Sequence, residues 1–543
     1  MLRARAQLLS RRLGAAPPAR TFRASPPAQI VGPFVAGVGV ALVAYSAKLL
    51  LQASNNPKFR EAMRDAASPS ASSASASASS SADADAAASR AAPARGSTAS
   101  YFTTDAMGVA LGQGASEWGG ACAAVVEGGA PRVVENDHGQ RRTPSVVAFA
   151  DSGETLVGQP AKKLLFSRTA TAVRGFEAIL GVRHDSDECR RLIAEAALPY
   201  ALAADDRGFA AVQACTRTPP LTSALATPLA AHPPPTSRHT SPVQVLATLH
   251  PPAELSAAVI EALRRASESA LGGRSVLSAA IGAPALASDA LRDALVAAGR
   301  RAGLQQIEIV DEHLAAARAA EHELPAALAD ARTLGVYDLG ARAFSFGVLR
   351  RADGADGGGG GGGGGGWEVA AARREALLGS EALDDALVDH LVDTFRDAEG
   401  IDLTADHLAL QRLHEAAELA KGELCAAPSA RVSLPFISAD AAGPKHLELT
   451  ISQAAFGRLA SPTLDATLPL CADALADAGV APAELDAVLV VGGAARAPAL
   501  CAAVAGFFGR EPIRPERPEE AVALGAALYA AEFQERKFSS GGG

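Results

Sequence analysis

The apolar residues change texture along the chain. Ile30 to Ala47 (IVGPFVAGVGVALVAYSA) is uncharged and mostly apolar, and with Leu49, Leu50 and Leu51 it reaches the roughly 20 residues that cross a hydrocarbon core. Lys48 can carry its ammonium to the interface. Gly32, Pro33, Gly37 and Gly39 lower helix propensity, but membrane helices tolerate them. Residues 30–52 are therefore predicted as a single membrane-spanning helix. A buried soluble helix is disfavoured because no neighbouring segment could cover it. Ser68 to Ser100 is almost all Ser and Ala and has too little apolar surface to offset ordering entropy, so 53–105 reads as a flexible linker. From Ala106 onward short apolar runs of strand length alternate with longer segments of helical period, the signature of an α/β fold. Three strands are predicted to end in glycine-containing turns: Met107 to Ser116, Leu334 to Gly340, and Leu485 to Gly493, the last followed by a helix from about Pro498. Glycine there lets backbone amides approach a phosphate or a base without a Cβ in the way. Three such turns, in two halves of the chain, predict two related lobes facing a nucleotide cleft.

Composition and charge narrow this picture. At 543 residues the chain exceeds what one compact core organises, which predicts two or three units plus tails. Hydrophobic residues at 48% can build a core, but aromatics are only 4% and Ala is the filler, which suits helices. A net charge of −9 offers no global basic field, so nucleic acid is not an expected partner. The cysteines (Cys122, Cys189, Cys215, Cys425, Cys471, Cys501) are scattered without a Cys-x-x-Cys pair, which argues against a zinc site or disulfide framework and for inert thiols of a reducing compartment. Ahead of the apolar run stand Arg3, Arg5, Arg11, Arg12, Arg20 and Arg23, and no acidic residue precedes Glu61. Residues 1–29 therefore read as an organelle transit peptide, which points to a mitochondrial inner-membrane protein, with a plastid as the alternative.

Specific segments resemble the nucleotide-binding domain of the seventy-kilodalton heat-shock chaperones of the DnaK type, in their bacterial and mitochondrial branch. Pro131 to Asn136, Arg142 to Phe149 and Glu154 to Lys162 are similar to the first lobe of that family. Gly400 to Leu403 and Leu410 to Lys421 resemble the lid over the adenine pocket. Gly443 to Leu447, Val491 to Pro498 and Pro518 to Ala527 continue the likeness, which runs from about Ala106 to Ala531. The resemblance implies an actin-like two-lobed ATPase fold, each lobe a mixed sheet flanked by helices, with ATP or ADP and Mg²⁺ in the cleft between them. Two stretches interrupt it. Residues 215–243 are rich in Pro, Thr and Ser and read as an extra loop or a retained intron, and Gly357 to Gly366 is a ten-glycine run expected at a hairpin tip within an insertion at 354–366. The glycine run is not a phosphate loop, since no Gly-Lys-Ser/Thr follows it. Residues 532–543 are expected to be a disordered tail. No segment resembling the family's peptide-binding domain follows, so peptide clamping is not expected. Pro33 to Ala67 is loosely similar to the anchor of the membrane-bound J-protein of the mitochondrial import motor.

Carried over position by position, the resemblance implies that Glu418 and Lys421 hold the ribose and flank the adenine, that Gly492, Gly493 and Arg496 sandwich the base, and that Gly112, Gly340 and Glu519 border the nucleotide. Pro284 and Arg292 match a proline switch and its relay partner. Asp338 and Glu312 match the water shell of the metal and are the only catalytic candidates. The phosphate side departs from the pattern. A metal-shell Asp is Ala110, two threonines are Gln113 and Gly114, a hydroxyl donor is Ala343, and a further Asp is Ser345. The Asn-Glu-Pro-Thr motif around Glu312 is Asp311-Glu312-His313-Leu314. The place of the catalytic lysine is Glu177. A carboxylate about 4 Å from a phosphate oxygen is repelled by roughly 4 kcal/mol at an effective dielectric of about 20, where a lysine would attract by a similar amount. Arg342 is a candidate replacement contact, since its fork matches phosphate. The expectation is an organelle chaperone-type protein, engaged in folding or import, that binds adenine nucleotide with hydrolysis weakened or lost. The alternative is a membrane-tethered pseudo-ATPase scaffold that docks a J-protein or a nucleotide-exchange factor. An active ATPase with a rebuilt site ranks third.

Overall fold

The computed structural model describes residues 105–540 apart from 113, 115–118, 151–153, 166–170, 196–197, 199, 218–244, 353–365 and 442. The predicted transit peptide, membrane span and nearly all of the linker lie outside the described residues. Among the described residues no helix is long and apolar enough to cross a membrane.

Three strands open the domain as a meander: β1 (Asp105–Ala110), β2 (Cys122–Glu127) and β3 (Ala130–Val133). Two small sheets follow. One is β4 (Val146–Phe149), β5 (Thr155–Val157) and β6 (Thr171–Arg174), with the short α1 (Gln159–Lys162). After α2 (Asp187–Glu195) comes the other, β7 (Ala201–Ala204), β8 (Ala210–Arg217) and β9 (Val245–His250). The chain then runs through α3 (Pro252–Ala270), β10 (Val276–Ala283), α4 (Asp289–Arg301) and β11 (Gln306–Asp311). β10 and β11 join the meander as parallel neighbours, giving a mixed five-stranded sheet of order β11-β10-β1-β2-β3.

The second lobe repeats the theme. α5 (Glu312–Glu323) and the single turn α6 (Pro325–Leu328) lead into β12 (Thr333–Leu339), β13 (Phe344–Arg351) and β14 (Trp367–Glu375). α7 (Glu381–Glu399) and α8 (His407–Leu424) precede the long hairpin β15 (Ser429–Asp440) and β16 (Gly443–Ser452). α9 (Gln453–Asp465), α10 (Leu468–Ala478), β17 (Ala487–Val491) and α11 (Pro498–Phe508) follow, and α12 (Ala521–Ser540) ends the chain by returning to the first-lobe sheet. β17 pairs in parallel with β12 in a sheet of order β14-β13-β12-β17. Each lobe has its own core. Phe176, Ile260 and Ile281 anchor the first, and Phe346, Phe395 and Phe456 the second. The expected two-lobed α/β architecture is thus present.

Three boundaries differ from those read in the sequence. α12 is helical through Ser540, so the stretch expected to be a disordered tail from 532 belongs to the last helix. Apolar side chains at the start of α12 bury against the first-lobe sheet, and the helical hydrogen-bond ladder carries the rest along. β8 continues to Arg217, which pairs with Val245, so the first residues of the supposed 215–243 insert are strand. β1 begins at Asp105, inside the predicted linker. The glycine run does fall between antiparallel partners, because Arg351 pairs with Trp367.

The heavy use of Ala has a packing consequence. α12 lies so close to β1 and α5 that a Cβ on Gly108 would stand 2.0 Å from the Ala527 amide nitrogen, and one on Gly525 1.7 Å from the Ala315 carbonyl oxygen. Only small residues permit that separation. Gly525→Ala is expected to destabilise the fold by about 1–3 kcal/mol through overpacking. Gly506→Ala, on the exposed side of α11 with nothing within 4 Å of the added Cβ, is expected to be stabilising by up to about 1 kcal/mol. Urea unfolding of the two variants beside the parent measures both, and a neutral Gly525→Ala would refute the packing account.

Candidate functional site

The three predicted glycine turns meet at one cavity. After β1 the chain turns through Gly112, where a Cβ would lie 2.3 Å from the carbonyl oxygens of Gly119 and Gly120. The Gly114 amide donates to the Gly119 carbonyl at 2.9 Å. Between β12 and β13 the turn runs from Gly340 to Ala343 and is tied to the start of α7. There Ser380 N donates to Gly340 O and Glu381 N to Ala341 O, each at 2.8 Å. After β17, Gly492 has φ 94°, and a Cβ there would sit 2.3 Å from Leu339 O and 2.9 Å from Asp338 Oδ1. No L side chain fits such a site, so backbone lines the cleft.

The cavity, of about 100 Å³, is lined by Gly112, Glu312, Asp338, Gly340, Arg342, Gly492, Gly493 and Glu519, together with Ala110, Arg142 and Arg374. Most of the residues singled out from the sequence are thus brought together. Its volume is below the roughly 300–1,000 Å³ of typical small-molecule sites, so a ligand of that size would fit only with the lobes further apart. The structure shows what holds them. Lys162 of the first lobe pairs with Glu418 of α8 at 3.0 Å. Arg141 grips Glu520, at the foot of the α12 helix that packs on the first-lobe sheet, with two bonds of 2.7 Å. Arg142 donates to the Glu519 carbonyl.

Glu418, Lys421 and Arg496 do not line this cavity. Lys421 is buried and bound to Asp384 at 2.5 Å, an ion pair within the second lobe. Burial pushes the Asp384 carboxyl up to about 6, and Lys421 draws it back down. Arg496 pairs with Glu519 at 3.0 Å and donates to the Glu516 carbonyl at 2.9 Å. Pro284 lines a second, neighbouring cavity of about 420 Å³. It is linked to Arg292 through the backbone: Ala287 N donates to Pro284 O at 3.1 Å, and Arg292 Nε donates to Ala287 O at 3.3 Å.

Two positions read separately as losses are in contact. His313 Nε2 and Ser345 Oγ are 2.9 Å apart and buried. The His313 ring fills the space that a Cβ on Gly347 would need, with Nδ1 only 2.7 Å from it. Burial lowers the His313 pKa, so the ring is a neutral hydrogen-bonding plug. α5 is capped by Asp311, whose Oδ1 accepts from His313 N at 2.8 Å and Leu314 N at 3.3 Å, and this cap fixes Glu312 at the cavity wall.

The carboxylates are held away from their ordinary state. Burial, then repulsion from Asp338, raises Glu312 to about 8, with Arg374 acting the other way. Burial raises Asp338 to about 6, opposed by Arg374 and Arg142. Glu177 lines the second cavity rather than the first. Burial raises it to about 8, against the pull of Ser145 and Arg342, and neither carboxylate oxygen satisfies hydrogen-bond geometry with a partner. Burial thus favours its neutral form over the carboxylate. The repulsion expected from a full negative charge is correspondingly reduced, a correction that follows from its burial. Arg342 stands between Glu177 and Glu381. It pairs with Glu381 at 3.4 Å, and its Nε is buried without a partner. Sequence reasoning passed over Arg142, Arg374, Lys162, Asp384 and Glu520 as site residues, because nothing local marks them as converging.

The raised Glu177 pKa has a stability consequence. The folded state keeps a proton that the unfolded chain releases above about 4.5, so this group's contribution is favourable at low pH and is lost as pH rises towards about 8. Glu177→Gln is therefore expected to stabilise the protein at pH 8 and above by on the order of a few kcal/mol relative to the parent, with little gain at pH 5. Urea unfolding at both pH values checks it, and equal gains at both would contradict the assignment.

The family model described as Hsp70 protein matches residues 106–224 and 235–537. The break between them falls in the stretch read from the sequence as an insert. The match covers well over half of the chain and includes both lobes, all three glycine turns and the cavity between them. The chain belongs to the Hsp70 protein family.

Proposed function

We propose that this chain is a divergent DnaK-type member that binds adenine nucleotide in its interlobe cleft and hydrolyses ATP slowly or not at all. The observation that carries the proposal is the convergence of three backbone-lined glycine turns on a cavity that also presents Arg142, Arg342 and Arg374. Amides and guanidinium groups suit a phosphate chain. Hydrolysis needs groups that position an attacking water and stabilise the transferred phosphoryl group. Ala110 and Ala343 supply none at their places in the wall, and Glu177 offers a carboxyl where the family has an amine. The arginine-rich start and the apolar run at 30–52 support a mitochondrial inner-membrane tether and a role in folding or import there.

A second reading, a scaffold that docks a J-protein or exchange factor through its lobes, is favoured by the narrow cavity and the pairs that brace it. Calorimetry and thermal shift on the full chain with ADP and ATP separate the two. Binding with a rise of several degrees in Tm, and turnover near background, is expected under the first reading. No binding of either nucleotide would sink it and leave the scaffold. Brisk ATP turnover, abolished by Asp338→Asn, would refute both.

A further inference from the structure

The cleft is built for a nucleotide but badly built for a divalent cation. Hard cations such as Mg²⁺ take oxygen ligands in near-octahedral geometry, with carboxylates supplying the protein's charge. Here the acidic residues of the cavity wall are Asp338, Glu312 and Glu519, the last already paired with Arg496, and the end of β1 presents Ala110. Among the described residues no group of three or more His, Cys, Asp or Glu side chains is placed to hold a metal. The same wall carries guanidinium groups. Asp338 pairs with Ser345 across β12 and β13, and Ser345 pairs with Arg374 across β13 and β14. Residues directly opposite in a sheet project from the same face. Asp338, Ser345 and Arg374 therefore form one row, two strand spacings or roughly 10 Å from end to end. An arginine side chain laid along that row reaches over Ser345 towards Asp338 and Glu312. Arg374 lines both cavities with Glu312, and its charge acts on both carboxylates. Among the described residues its guanidinium has no ion-pair or hydrogen-bond partner at close range. Arg142 enters the cavity from the other lobe, and Arg342 closes the third side.

A dication placed here would meet three guanidinium groups, two carboxyl groups raised by burial, and a Glu519 already committed to Arg496. We propose that Arg374, with Arg142, takes the electrostatic place of the metal, so that this cleft binds the phosphate chain of an adenine nucleotide without a divalent cation. The proposal rests on the nucleotide reading above. Guanidinium forks supply fixed positive charge and paired N–H donors to phosphate oxygens.

The test is calorimetric titration of the full chain with ADP, in excess MgCl₂ and again in excess EDTA. Affinities within about threefold of each other are expected, a difference of well under 1.4 kcal/mol. Binding that weakens about tenfold or more in EDTA would overturn the proposal while leaving the nucleotide reading intact. ADP failing to bind in either medium would overturn that reading and the proposal with it. In EDTA, Arg374→Gln is expected to lose about tenfold or more in ADP affinity while its Tm without ligand stays close to the parent's, and affinity equal to the parent's would overturn the assignment. Should that variant unfold, Mn²⁺ titration of the unmodified chain by electron paramagnetic resonance stands independently. No site tighter than about 1 mM is expected, and one tight Mn²⁺ per chain would refute the proposal.

Discussion

Everything at the centre of this molecule depends on backbone approaching backbone where no side chain can stand. Gly492 leaves β17 with a positive φ and lies against Leu339 and Asp338, while Gly112 turns against Gly119 and Gly120. These contacts bring turns from two separate sheets to one cavity. They also fix where Asp338 and the Gly340 turn face, and hence which charged groups share the cleft. A Cβ at Gly492 would push β17 and β12 apart and open the wall that the cavity needs. The same economy of atoms seats α12 against β1 and α5, where Gly108 and Gly525 admit helix backbone.

Around that frame the electrostatics are unusual. Glu177, Glu312 and Asp338 are carboxyl groups buried deeply enough to be raised towards neutrality. Arg142, Arg342 and Arg374 enter the same region from three different elements. Burial weakens the charge that would attract a cation, and the arginines supply charge that attracts an anion. Both effects move the cleft in one direction, towards phosphate and away from metal. The lobes are meanwhile tied by Lys162 with Glu418, so access requires parting a charge pair. Such pairs, partly shielded from water, are worth more than exposed ones but still break on the timescale of lobe motion.

Much of this was legible in the sequence. Alternating strand and helix periods gave the α/β class, and the turns at Gly112, Gly340 and Gly492 were recognisable because a glycine at a strand end has few other uses. Pro498 marked the start of α11, as a proline in the first turn of a helix should. What remained hidden was pairing at a distance. His313 and Ser345 looked like two unrelated departures from a pattern, yet they are hydrogen-bonded to one another. Lys421 read as a nucleotide contact, and its ammonium is bound to Asp384, 37 residues away. The end of α12 was missed because its short, mostly polar and charged stretch carries no clear apolar period, although a helix already anchored by its first turns continues through it.

The sequence by itself determined the class of fold, the family, the places where backbone must come close, and the identities of the residues missing from the phosphate side. Those are properties of local period and residue type. The tertiary structure alone decided the ionisation of Glu177, because a carboxyl's pKa depends on how much water surrounds it and that is set by packing. It likewise decided the role of Arg374, which only the register of β12, β13 and β14 places in one row with Asp338.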